Sequence, residues 1–229
     1  EHWRGAFYPE DLTKEDFLKY YKNQFHTVEI NNTFYQLPEE EIPLGWRKTV
    51  PPGFIFSVKG SRYITHMKKP KNPKKPVSTF LRRIEVLENN LGPILFQLPP
   101  RWKFNPDRLK SFLEVLPEKF RCAFELRDTS WFEEESLRFL EQHGAAFCIY
   151  EFAGTLSPKH VTADFIYTRL HRPEEAAYKG QYDTRVLSGW AGAFAAWARQ
   201  EKEVFCHFDN DEAGHAAQDA LRVQEMIQE

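Results

Sequence analysis

Apolar positions along this chain recur with two spacings, one near two residues and one near three and a half, and stretches of each kind take turns almost from end to end. The first helical stretch starts at Thr13, which with Asp16 three residues on predicts a capped helix carrying Phe17, Leu18 and Tyr21 on one face. The strand-like run HTVEIN (26–31) follows, then FIFSVKG (54–60). After a lysine- and proline-rich segment, Phe80, Leu81, Ile84 and Leu87 fall on one helix face and lead into PILFQL (93–98). Asn105 and Pro106 supply a cap and a first helical residue for a helix that buries Leu109, Phe112, Leu113 and Leu116. The strand RCAFELR (121–127), a helix within 133–143 and the strand AAFCIYE (145–151) come next. An irregular stretch then reaches DFIYTRLH (164–171). Val186, Leu187, Trp190, Phe194 and Trp197 mark a helical stripe before the strand EVFCHFD (203–209) and a last helix.

Strands alternating with helices predict a parallel sheet, because a parallel neighbour is reached only through a long crossover. The pattern gives seven strands and an opening helix with no strand before it. A strand upstream of Glu1 would complete eight. The expected fold is therefore a TIM-type (β/α)8 barrel, one domain over residues 1–229, with its first strand missing from this sequence. An open Rossmann-type sheet is the alternative, but no glycine-rich GxGxxG or P-loop turn joins any strand to its helix.

Side chains alternate across a strand, so parity separates what each strand sends to the helices from what it sends the other way. Val28 and Ile30 oppose Glu29 and Asn31; Phe56 and Val58 oppose Ser57 and Lys59; Phe96 and Leu98 oppose Gln97. Phe124 and Leu126 oppose Glu125 and Arg127, Leu170 opposes Arg169 and His171, and Phe208 opposes His207 and Asp209. Six strands thus direct polar groups away from the helices near their carboxyl ends, where a barrel of this type builds its pocket. The competing reading is structural: Glu29, Glu125 and Asp209 neutralise Lys59, Arg127 and Arg169, since buried charges need partners.

Charge and composition narrow the partners. The 229 residues carry a formal charge of −2, which gives no global reason to bind nucleic acid or an anionic membrane. The longest apolar runs are strand-sized, well short of the roughly 20 residues of a membrane span, and no leader peptide is evident. Cys122, Cys148 and Cys206 are odd in number, lack CxxC spacing and sit in apolar runs, the pattern of reduced, buried thiols in a cytoplasmic protein. The one dense basic tract, HMKKPKNPKKP (66–76), reads as a solvated extended loop because of its prolines, with His66 at its start within reach of the pocket rim.

Several segments together resemble the YecE-like family, the domain of unknown function numbered 72. They are WRGAFYPE (3–10), FHTVEINNTFY (25–35), PPGFIFSVKG (51–60), ITH (64–66), LGPILFQLPP (91–100), FELRDTSWF (124–132), TADFIYTRLH (162–171) and FDNDEAGHA (208–216). The resemblance covers essentially the whole chain and implies a TIM-type barrel that begins with a short strand bearing a Gly-Thr-Ser-Gly-like stretch. This sequence departs from the family pattern at Arg172, where glycine is usual, and at Asp209, where asparagine is usual.

Glu29, Glu125, His171 and Asp209 are the candidate proton-transfer groups, being ionisable residues of matched parity on different strands. Arg127 and Arg169 suit a carboxylate or phosphate, which a guanidinium fork binds bidentately, and together they predict an anion site; Lys59 adds a cation. Asn31, His66, Gln97 and Asn210 supply further polar contacts, and Trp131 a rim aromatic able to stack on a ring, as could Phe34, Tyr35 and Tyr182. The function these residues favour is an enzyme acting on a small polar or anionic compound. A noncatalytic barrel that binds such a ligand or a nucleic acid, and a metal-dependent isomerase- or phosphoesterase-like enzyme, are the alternatives. Glu29, Glu125, His171, Asp209, Asp211 and His215 could serve Mg²⁺, Mn²⁺ or Zn²⁺, but no compact ligand motif supports a metal and three cations compete for the carboxylates.

Overall fold

The computed structural model describes residues 3–67, 73–171 and 180–228. Its strands are β1 (Thr27–Ile30), β2 (Ile55–Lys59), β3 (Leu91–Leu98), β4 (Cys122–Leu126), β5 (Ala146–Phe152), β6 (Thr155–Leu156), β7 (Phe165–Leu170) and β8 (Glu203–Phe208). The α-helices are α1 (Phe17–Tyr21), α2 (Asn32–Tyr35), α3 (Glu41–Thr49), α4 (Lys74–Ile84), α5 (Pro106–Leu113), α6 (Glu134–Gln142), α7 (Thr184–Ala198) and α8 (His215–Gln228). The strands follow one another in the order β1-β2-β3-β4-β5-β7-β8, and β6 folds back antiparallel on β5. Sequential parallel strands with helical crossovers make this an α/β fold of the TIM-like kind. The doubly wound alternative fails, because such sheets reverse their strand order at a switch point and this one does not. No described helix is long and apolar enough to cross a membrane.

The chain divides into two compact units. One is Phe25–Cys148 with His160–Ala163; the other is Glu1–Gln24, Ile149–Lys159 and Asp164–Glu229. In the first, Phe96 of β3 meets Phe80 of α4 at 6.4 Å, Phe112 of α5 at 5.0 Å and Phe124 of β4 at 5.6 Å. Each such ring contributes roughly 1.5–3 kcal/mol by leaving water, and together they fix which face of β3 and β4 meets the helices. Gln97, Glu125 and Arg127 are thereby turned the other way. In the second unit α7 buries Leu187, Trp190, Ala191 and Phe194, and Tyr182 packs on Phe208 of β8 with ring centroids 5.7 Å apart.

All seven expected strands form, and the irregular stretch after β5 contains the short strand β6 as well. Asn105 caps α5 as its residue type predicts, accepting from the Arg108 amide at 2.9 Å. Thr13 makes no side-chain cap: its hydroxyl donates to the Asp16 carboxylate at 2.9 Å, and no backbone amide of the turn donates to it. Helix α3 went unexpected because its sequence, EIPLGWRKT, holds Pro43 and Gly45; the proline lies in the first turn, where its missing N–H costs nothing. The basic tract likewise ends in helix rather than extended loop, with Lys74, Lys75 and Pro76 forming the first turn of α4. Lys68, Lys69 and Lys71 of that tract, and Arg172, lie outside the described residues.

Gly60 marks a place where backbone and core meet closely. A methyl group there would stand 2.6 Å from Cδ1 of Phe96, whose ring is fixed by the cluster above. Gly60→Ala should therefore destabilise the protein by about 1–3 kcal/mol in urea unfolding, the usual cost of overpacking.

Candidate functional site

The carboxyl ends of β3 and β4 carry one hydrogen-bonded group. Gln97 and Glu125 face each other in register, and Gln97 Nε2 donates to Glu125 Oε1 at 2.9 Å. Arg127 Nε donates to the same oxygen at 2.5 Å. Glu125 has no exposed surface, whereas the Arg127 side chain keeps 12% of its own. The glutamate is thus an anchor that orients the guanidinium from its Nε side.

Lys59, at the end of β2, belongs to the same unit. Its ammonium lies 4.7 Å from the centroid of Phe34, and its carbonyl accepts from the buried Thr33 hydroxyl at 2.6 Å. Phe34 also meets the edge of His66 at 5.1 Å. His66 Nδ1 and Thr65 Oγ1 are hydrogen-bonded at 2.8 Å. Burial holds the His66 imidazole below the ordinary histidine range, and Lys59, Arg127 and Arg62 push the same way against Glu125. Lys59, His66, Glu125 and Arg127 therefore act on one another electrostatically. Glu29 on β1 pairs in register with Ser57 and is partly exposed; Asn31 follows it, its Oδ1 buried with no hydrogen-bond partner among the described residues.

The other unit holds its own group at the ends of β7 and β8. Asp209 forms an ion pair with Arg169 Nη2 and lies 3.2 Å from His171 Nδ1, while Arg169 Nη1 stands 3.3 Å from His171 Nε2. A guanidinium only donates, so His171 Nε2 accepts and Nδ1 carries the proton facing Asp209. Arg169 and His171 are 2% and 1% exposed, so Nε2 accepts from the guanidinium and Nδ1 meets the Asp209 charge away from solvent. Asn210 is fully buried and donates to Gly180 O at 2.9 Å and Asp219 Oδ2 at 2.8 Å, which ties the β8 end to α8.

Two aromatic expectations need correction. Trp131 has no exposed surface: its Nε1 donates to the Trp102 carbonyl at 2.6 Å and its ring lies among Trp102 and Phe104, so it offers no stacking face. Tyr182 is buried as well, its hydroxyl donating to Glu151 Oε2 at 3.0 Å. Among the described residues no group of three His, Cys, Asp or Glu side chains comes together to hold a metal ion. Burial pushes the Cys122 thiol up to about 12 and, with the Glu151 charge, raises Cys206 as well; neither forms a thiolate near neutrality.

Glu151 is the residue that sequence reading passed over. It ends the run AAFCIYE on the parity of Phe147 and Ile149, so a carboxylate stands on an apolar, helix-facing side, and that mismatch was its signal. Trp190 Nε1 of α7 donates to Oε1 at 3.0 Å, opposite Tyr182 on Oε2. Burial raises its carboxyl above the ordinary range, despite both hydrogen bonds and the Lys159 charge.

Two stability outcomes follow. Glu125→Ala would leave the Arg127 guanidinium without its anchor and should cost about 3–5 kcal/mol in urea unfolding, as for breaking other buried ion pairs. A carboxyl raised in the folded state favours folding fully below its unfolded value of about 4.3 and loses that contribution as pH rises through the folded value. Glu151→Gln removes this titration while Tyr182, whose hydroxyl can also accept, keeps a partner; the variant's unfolding midpoint should fall less than the wild type's between pH values of about 4 and 7.

Comparison with known proteins identifies the fold's family. The family model described as "Protein of unknown function DUF72" matches residues 1–229. The UPF0759 protein YecE of Escherichia coli strain K12 is 34% identical over 135 residues, covering 56% of this chain and 49% of YecE, so the match spans about half the length of that relative. The UPF0759 protein YunF of Bacillus subtilis strain 168 is 24% identical over 97% of this chain and 90% of its own. The crystal structure of a DUF72 family protein from Thermotoga maritima MSB8 is similar with a TM-score of 0.90 and 32% identity, covering 100% of this chain and 95% of that one. A second, from Enterococcus faecalis V583, shares the fold at a TM-score of 0.82 and 22% identity, over 93% of this chain and 94% of that one. With a family model spanning its whole length, this chain belongs to the DUF72 family.

Proposed function

We propose that the protein is an enzyme acting on a small phosphate- or carboxylate-bearing compound, bound in the Phe25–Cys148 unit by Lys59 and Arg127 and worked on by histidine and carboxylate acid–base chemistry. The observation that carries this reading is the excess of cation around His66: Lys59, Arg127 and Arg62 bear on it against the single carboxylate Glu125. On a chain of net charge −2 that local excess does not follow from the overall charge. Arg127 brings planar donors whose direction Glu125 fixes through Nε, and Lys59 brings a compact point charge on a long stem. The two are complementary ways of holding an oxyanion.

Calorimetric titration with inorganic phosphate tests the binding half of this reading. Lys59→Met should lose about 1.5–3 kcal/mol of affinity, the contribution of a charge-assisted hydrogen bond, with little change in unfolding. Arg127→Lys keeps a charge but not the fork, and should weaken binding as well. If neither phosphate nor a small dicarboxylate binds the wild type at millimolar concentration, the reading falls. Turnover of a phosphate-monoester panel, lost in Lys59→Met, separates an enzyme from a barrel that only binds.

A further inference from the structure

His66 lies in the π-helical turn Tyr63–Met67, a wide-turn geometry that re-aims side chains and recurs at functional sites. Three features set this imidazole apart from His171 in the other unit. The ring is only half-buried, so a ligand can reach it. Its Nδ1 is taken by the Thr65 hydroxyl, and Thr65 has no exposed surface, so the ring orientation is held from behind. Its Nε2 has no hydrogen-bond partner among the described residues.

The charged groups bearing on the ring come from three places: Lys59 from β2, Arg62 from the residue before the turn, and Glu125 with Arg127 from β4 and the residue after its end. Phe34 of α2, which meets the ring edge-on, brings no charge. Without a ligand, burial and then the cations disfavour a proton on His66. An oxyanion seated between Lys59 and Arg127 would reverse that field, and its oxygens would offer Nε2–H an acceptor.

We infer that His66 is the proton carrier of this anion site, so that an oxyanion held by Lys59 and Arg127 is taken up together with a proton on Nε2. The inference rests on the anion-site reading above and narrows it: the ligand class is a phosphate- or sulfate-like group that accepts a hydrogen bond from an imidazolium. Binding and proton uptake are then linked, and each must strengthen the other by the same factor.

Sulfate is the probe, because it stays doubly charged across the range in which histidine titrates, whereas phosphate does not. Wild-type protein should bind sulfate on the order of tenfold more tightly at about pH 5.5 than at about pH 8. His66→Gln should bind at the pH 8 level throughout, which removes the contribution of the other histidines. Titration of the His66 ring by NMR, with and without sulfate, gives a second readout on unaltered protein; sulfate should raise its pKa. Equal pH dependence in wild type and His66→Gln, or a His66 pKa that sulfate leaves in place, overturns the inference. Sulfate binding that does not vary with pH but is lost in Lys59→Met sinks the proton carrier and keeps the anion site. Binding absent at both pH values, or indifferent to Lys59→Met, removes the anion site and the inference with it.

Discussion

A carboxylate shut off from water must be matched by donors or give up its charge, and Glu125 is placed under that constraint with no exposed surface. Gln97 and Arg127 meet it together on one oxygen. The requirement runs in both directions. Because Glu125 needs Arg127, the guanidinium is held at the strand end through Nε, and because β3 and β4 are in register, Gln97 arrives opposite without any loop having to supply it. The orientation of the cation is therefore set by sheet geometry, which is stiffer than a loop and better suited to holding a ligand in a defined place.

The same demand is met differently at Asp209. Arg169 and His171 both turn to this carboxylate and also to each other, and the result is a buried set in which His171 Nε2 accepts from Arg169 and Nδ1 stands 3.2 Å from Asp209. His171 thus braces the ends of β7 and β8, while His66 is half-buried and its Nε2 has no hydrogen-bond partner among the described residues. His171 is marked in the sequence by ionisable type and strand parity, His66 only by its place at the start of the basic tract. What distinguishes them is which partners close each ring, a matter of three-dimensional pairing.

That difference marks how far the sequence could be read. Strands, most helices and the turning of Glu125 away from the helix-packed face of β4 followed from periodicity, since alternation is dictated by backbone geometry and the core is apolar enough to show it. Helix α3 was hidden because Pro43 and Gly45 lower its propensity while tertiary packing holds it, burying Pro43. Trp131 was misplaced for the opposite reason. The residue type suits a binding rim, but the turn after β4 folds it inward, where the Trp102 carbonyl satisfies its N–H, and nothing in the spacing of FELRDTSWF says which way that turn goes.

Glu151 shows why burial of an acid has no single consequence. Like Glu125 it ends a strand and is almost fully enclosed, at 7% exposure. Glu125 is bonded to a guanidinium, a full opposite charge; Glu151 is bonded to Tyr182 and Trp190, which donate but carry none. Neutral donors offset part of the desolvation cost and leave the rest, so burial raises the Glu151 carboxyl, with Lys159 only moderating the shift. The two positions differ by strand parity alone: Glu125 points to the face where a cation waits, Glu151 to the face packed by α7. A strand that placed its acid one residue later would move it to the other set of partners, and so the alternation that builds the fold also decides which carboxylate has a cation to hold.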